Sequence, residues 1–199
     1  MNWLTNALLR VQRKTGIALI VVLVGIVFAY HLGSGVVLDE VTGRPLEGAY
    51  VVARWSARGI TPVRSSDVCF KVVSTKTDQA GRFMLWPISW NFNPLYWFRS
   101  RDVRFYFRGY VLSEPSILFP LLVSMKPEPA LDITRIESIL TVAWRLGCGP
   151  HAQQKQFLLP VYEAMASEAK EIADRTGEPG FARSVQRYVD RVTGRNSEQ

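Results

Sequence analysis

Gly35 to Trp55 reads GVVLDEVTGRPLEGAYVVARW, and the rest of the chain is arranged around it. Two β-branched valines come after Gly35, so the stretch opens as a short strand. From Asp39 to Pro45 the residues are those of a turn: Gly43 tolerates a positive φ, and Pro45 fixes the exit. Gly48 to Trp55 then alternates, with Ala49, Val51, Ala53 and Trp55 on one face and Tyr50, Val52 and Arg54 on the other. Apolar residues on both faces predict a sandwich strand with at least one face covered. No acid, base or nucleophile is placed there for catalysis.

Working outward, Val68 to Ser74 reads as another strand, and Arg58 to Asp67 as a polar loop. Asp78-Gln79-Ala80-Gly81 is a hairpin connection with Gly81 in the left-handed position, and Arg82 to Trp86 is the returning strand. Val103, Phe105 and Phe107 point inward against Arg104, Tyr106 and Arg108 outward. Phe119 to Met125 supplies a last strand, closed off by Pro127 and Pro129. Six or seven strands at this short spacing favour a sandwich over a βαβ sheet.

The pattern Gly35, Val37, Asp39, Thr42-Gly43, Pro45-Leu46, Gly48-Ala49, Val51, Ala53, with Thr77-Asp78, Gly81 and Phe83 further on, resembles the carboxypeptidase regulatory-like domains of the transthyretin-like group. Gly109-Tyr110 resembles the family's later Gly-Tyr step. The likeness covers roughly Gly35 to Met125 and rests on turn and core residues. It implies a seven-stranded Greek-key β-sandwich, often attached to envelope proteins as a folding, docking or binding module. It implies no peptidase, because no zinc carboxypeptidase motif is present. Hydroxyisourate hydrolases of this group use sandwich histidines and a Tyr-Arg-Gly-Ser-like tail, whereas this chain reads Arg195-Asn196-Ser197-Glu198-Gln199. Intradiol dioxygenases share a related sandwich but need two histidines and two tyrosines for iron, and the histidine pair is lacking.

The amino-terminal part points to an address. Arg10, Arg13 and Lys14 precede an apolar run from Ile17 to Leu32, and no acid occurs before Asp39. Positive charge before such a run holds the amino terminus in the cytoplasm and sends the downstream chain across the membrane. The run has 16 residues; as a helix it is about 24 Å long, short against the roughly 20 residues of an ideal span. Cleavage after Ala29 and retention as a tether to the inner membrane both fit. The net charge is +7, three of which belong to those leading residues. The remainder is ordinary for a soluble domain and lacks the clustered basic face of a nucleic-acid binder. No nucleic-acid partner is expected.

The carboxy-terminal part is helical. Ile133, Ile136, Ile139, Leu140, Ala143 and Trp144 form a stripe from Asp132 to Leu146, with Asp132 and Gly147 as caps. Gln153 to Arg175 carries Leu158, Val161, Met165, Ala169 and Ile172, with Pro160 marking a kink or a start. Glu178 to Val192 is a third helix with Pro179 in its first turn, ended by Gly194. The expected class is therefore α+β. A signal or signal-anchor helix (1–32) precedes the sandwich (33–127), and a helical region of about three helices (130–195) comes after it.

Cofactor chemistry has little to stand on: His31 and His151 are the only histidines, and neither has metal or triad spacing. No metal or cofactor is expected. Cys69 and Cys148 are the only cysteines; outside the cytoplasm they suit a disulfide, the alternative being two separate thiols. Two features suit contact. Trp86 to Phe98, WPISWNFNPLYWF, fits a sugar platform, a partner site or a membrane-interface anchor, or else simply fills the open end of the sandwich. Arg99, Arg101, Arg104 and Arg108 fit phosphate or acidic headgroups, or else form a solvated strand face.

The expected function is that of a non-enzymatic envelope protein, exported or tethered to the inner membrane. It would bind an unidentified envelope protein or surface component through Trp86, Trp90, Trp97 and these arginines. The alternative is a small periplasmic carbohydrate-binding protein or hydrolase, with a tryptophan exposed beside a carboxylate such as Asp102. A third possibility is a purely structural spacer.

Overall fold

The computed structural model describes residues 19–25, 33–59, 67–85, 96–112, 121–128, 133–148 and 151–195. Seven strands form two sheets: β1 (Ser34–Asp39), β2 (Tyr50–Gly59), β3 (Asp67–Lys76), β4 (Arg82–Met84), β5 (Tyr96–Tyr106), β6 (Tyr110–Leu112) and β7 (Leu121–Pro127). One sheet has the order β4-β1-β7-β6 and the other β3-β2-β5. β1 runs parallel to β7, whereas every other pairing is antiparallel. Among the described residues three longer helices follow: α1 (Ile133–Leu146), α2 (Leu159–Thr176) and α3 (Pro179–Thr193). The class is mixed α+β, with a β-sandwich-like body.

The alternation in β2 sorts its residues between two interiors. Ala49, Val51, Ala53 and Trp55, with Phe105 of β5 beside them, face the four-stranded sheet, where they meet Val37, Phe83, Val123 and Met125. Val52 faces the other way, under the helices, with Val72, Tyr106, Ile136, Ile139, Tyr162 and Met165. Both faces of β2 are thus covered, and the molecule has three layers: sheet, sheet, helices. Tyr106 points out of the sandwich, as its parity requires, yet it is buried because the helices lie there.

Turn chemistry closes the sandwich. Asp39 Oδ1 accepts the Val41 and Thr42 N–H groups at 2.8 Å each, and its Oδ2 accepts the Tyr110 hydroxyl at 2.8 Å. Thr77, buried, accepts the Ala49 N–H at 2.9 Å and donates to the Leu46 carbonyl at 2.6 Å. Gly81 has φ +68°, and a Cβ there would stand 2.5 Å from the Val37 carbonyl oxygen, so glycine is required for two reasons.

The helical layer departs from expectation at three points. Trp144 is 72% exposed. The buried stripe of α1 is Ile136, Ile139, Ala143 and Leu146; at roughly 100° per residue Trp144 falls well round the helix from it. Gly147 does not take a left-handed φ, while Gly177 and Gly194, at φ 75° and 80°, cap α2 and α3. Nor does Pro160 simply begin a helix. The chain is helical from His151, passes through a π segment at Gln154–Leu158, and runs on into α2. Pro160 lacks an N–H, and the chain widens just before it, with the Leu159 N–H donating to Gln154 O.

That π segment lies along β3, an edge strand. Ser74 Oγ donates to Phe157 O at 2.6 Å, and the Val72 N–H reaches Gln153 Oε1 at 3.3 Å. The edge is thereby covered. A disulfide between Cys69 and Cys148, with Cα atoms 5.2 Å apart, ties β3 to the residue two beyond α1.

Residues 19–25 are helical and exposed throughout. Among the described residues no helix is long and apolar enough to cross a membrane. The cleavage position at Ala29, His31 and the capping residue Asp132 lie outside the described residues.

Candidate functional site

Among the described residues, two places bring polar side chains together where the sheet meets the helices. The first is buried, where the β5–β6 turn meets α1 and α2. Arg135, 3% exposed, donates from Nε to Glu168 Oε1 at 2.9 Å and from Nη2 to Oε2 at 3.2 Å. Glu168, 1% exposed, also accepts the Tyr106 hydroxyl at 2.6 Å and the Gly109 N–H at 3.0 Å. Arg135 turns its remaining donors on the carbonyls of Tyr110 (2.6 Å) and Phe107 (3.2 Å), and Glu128 stands 3.5 Å off. Burial, and after it the charge of Glu168, pushes the Tyr106 phenol well above its ordinary range. The carboxylate and the guanidinium are both nearly saturated with partners, which is the condition for holding a charge pair away from water. The arrangement fastens helices to sheet and leaves no group poised for proton transfer to a ligand.

The second place is a cleft of about 550 Å³ between β5–β6 and α1. Its sheet wall presents Arg104, Tyr106 and Tyr110, and its helix wall presents Thr134, Ser138 and Thr141. Arg104 donates from Nε to Asp102 at 2.9 Å, and this pair is partly exposed. Asp102 lies opposite Arg54 in the β2–β5 register. Burial lowers the pKa of the Arg54 guanidinium, against the pull of Asp102, and its buried Nε has no hydrogen-bond partner among the described residues. With Arg104 paired to Asp102 and Glu137 also on the helix wall, the mixed charges, hydroxyls and aromatic edges of this cleft suit contact with a polar group.

The arginine set divides between faces. Arg101 pairs with Trp55 in the register, and burial lowers its pKa too. It shares the sandwich face, whereas Arg104 is on the helix face. Arg108 is held by Glu171 of α2, which also holds Arg175. Of the set, therefore, Arg104 alone is seen on the cleft wall. Trp97 and Arg99 belong to β5, but their side chains, like Trp86 and Trp90 entirely, lie outside the described residues. His151 is exposed at the start of the helical run before α2. Among the described residues no three His, Cys, Asp or Glu side chains are grouped to hold a metal.

Arg135 and Glu168 are not among the residues that sequence reasoning singles out. A signal for them is nonetheless present. Glu168 interrupts the spacing Met165, Ala169, Ile172, and Arg135 adjoins Ile136, so each charge sits inside an apolar stripe. No family model, curated protein or solved structure matches the chain.

Proposed function

We propose that this chain is a non-catalytic accessory module on the periplasmic face of the bacterial inner membrane, tethered there by residues 17–32 and acting by contact with another envelope component. The observation that carries the reading is the Cys69–Cys148 disulfide. Such bonds persist outside the reducing cytoplasm, and this one lies downstream of a basic segment and an apolar run of the kind that directs export. The likeness of Gly35–Met125 to transthyretin-like, carboxypeptidase regulatory-like domains, with their Greek-key connectivity, belongs to the same proposal. It draws support from two stacked sheets and from Asp39, Thr77 and Gly81 acting as turn-locking residues. The working surface is the helix face of β5 with its cleft, where Arg104 is partly exposed.

Fractionation of the tagged full chain in bacteria that have a periplasm tests the address. The body should sediment with membranes and be digested by protease only from the periplasmic side. Both thiols should resist alkylation until reduced, and the mass of the mature chain reports whether Ala29 is cut. A cytosolic chain with two freely alkylated cysteines overturns the proposal. A photo-crosslinking residue at Arg104 tests the contact, since a binding module yields a reproducible envelope adduct there and a spacer does not.

A further inference from the structure

Among the described residues, no element covers the outer face of β4, β1 and β7. Among the described residues, the helices pack on the three-stranded sheet and make no comparable contact with β1, β4 or β7. On that outer face Val36 pairs with both Arg82 and Leu122 in the register, and Met84 lies across from Ser34. Met84 is 48% and Leu122 42% exposed, so two large apolar side chains meet solvent on this face. Arg82 and Lys126 are exposed on the same face, and no carboxylate occupies an outward position of β1, β4 or β7. The face is therefore a small apolar patch flanked by cations.

This sheet is also where the amino-terminal segment arrives. Residues 19–25 are helical with every side chain exposed, and only residues 26–32 separate them from Gly33, whose carbonyl accepts the Leu85 N–H at 2.7 Å. Extended chain of that length reaches at most about 30 Å. If that segment is held in a bilayer, β1 begins close to the lipid surface, and its sheet presents the face that no described element covers. Apolar side chains flanked by lysine and arginine are what an anionic interface accepts: the side chains enter the headgroup boundary and the cations meet lipid phosphates.

We infer that the outer face formed by β4, β1 and β7 lies on the anionic lipid surface, with the helices and the Arg104 cleft turned away from it. This orientation rests on the membrane tether proposed for residues 17–32.

The test uses the full chain with nitroxide labels introduced at Leu122→Cys and, as control, at Arg187→Cys on α3. Labelling is done without reductant, so that Cys69 and Cys148 stay joined. Each protein is mixed with phosphatidylcholine vesicles with and without phosphatidylglycerol, then floated and probed with a water-soluble nickel relaxant and with oxygen. The expected result is that both proteins float. With phosphatidylglycerol the label at 122 loses most of its nickel accessibility and gains oxygen accessibility, while the label at 187 stays aqueous. Arg82→Glu with Lys126→Glu should restore nickel access at 122 without loss of flotation. Flotation with position 122 as water-accessible as 187 overturns the orientation alone. Failure to float with either vesicle overturns the tether and the orientation together.

Discussion

The two interiors of this molecule are closed by different means. Between the sheets, the apolar core is sealed where its turns meet: Asp39 holds the Thr42 N–H three residues on, Thr77 joins Ala49 and Leu46 across 28 and 31 residues, and Gly81 packs against Val37. Between sheet and helices, the links are long-range: the disulfide spans 79 residues, the Arg135–Glu168 pair 33, and Tyr106 reaches Glu168 across 62. Turns specify themselves locally and cost little to order. A helical layer added to a sheet face has no turn signature of that kind; here its apolar core is fastened, among other links, by a disulfide and a buried charge pair.

Removing a partner of that pair should have the largest effect. Glu168→Gln leaves the Arg135 guanidinium buried with weakened acceptors, and the expected loss of unfolding free energy is about 3–5 kcal/mol. The double change Glu168→Leu with Arg135→Met should recover a large part of it, since neither charge then needs an answer. Denaturant unfolding at neutral pH measures both. A single substitution costing less than about 1 kcal/mol, the scale of an exposed pair, would show that the buried pair does not fasten the layer and would weaken the contrast.

Reduction of the disulfide, or Cys69→Ala with Cys148→Ala, comes next, at about 2–4 kcal/mol. Its location sharpens the comparison more than its size does. Hydrogen exchange should rise first in α1 and the π segment lying on β3, while β1 and β7 amides keep their protection. Equal loss in both interiors would mean that they unfold as one unit.

On the sandwich side the counterpart is Gly81→Ala. The new Cβ meets the Val37 carbonyl oxygen at 2.5 Å in a backbone with φ +68°, so it must move a central strand. The expected cost is on the order of 1–3 kcal/mol. Gly43→Ala is the control: φ is +67° but nothing lies within 4 Å, so the backbone term acts alone at about 1–2 kcal/mol. Midpoints from thermal unfolding of the two variants separate contact from conformation.

Legibility in the sequence divides along the same line. β2 shows both its faces because its alternation is apolar on each, and Asp39, Gly43 and Gly81 announce their turns because few other residues fit those backbones. The helix spans are visible from their stripes, but Trp144 reads as buried because an apolar residue next to a stripe is indistinguishable from one within it at that spacing. The π segment is hidden because a proline in helical sequence reads equally as a start or a kink. The pairing of Arg135 with Glu168 depends on how two helices cross a β-turn, and no one-dimensional period encodes that. The candidate contact surface is half legible, since strand parity alone sends Arg104 to the helix face and Arg101 to the sandwich face, while the Glu171 that takes up Arg108 lies 63 residues on.

The smallest effect belongs to Asp39, and its sign can be fixed from its partners. The Thr42 N–H and then the Tyr110 hydroxyl favour the ionised carboxylate, so its folded pKa lies below the ordinary carboxylate value. A depressed folded pKa means that the unfolded chain binds the proton more readily. The contribution of Asp39 is therefore complete above the unfolded value, near pH 4 (about 3.9 for a free aspartate). It is lost as pH falls through the lower, folded value. Asp39→Asn should separate from the parent at neutral pH and converge on it below about pH 4, in unfolding curves taken stepwise from pH 7 downward. Tyr110→Phe removes one of the three bonds and should flatten part of that convergence while leaving the turn, because the Val41 and Thr42 donors remain on Oδ1. A gap that widens with acidity would mean that the carboxylate is a burden to the fold and that the turn closes the sandwich without it.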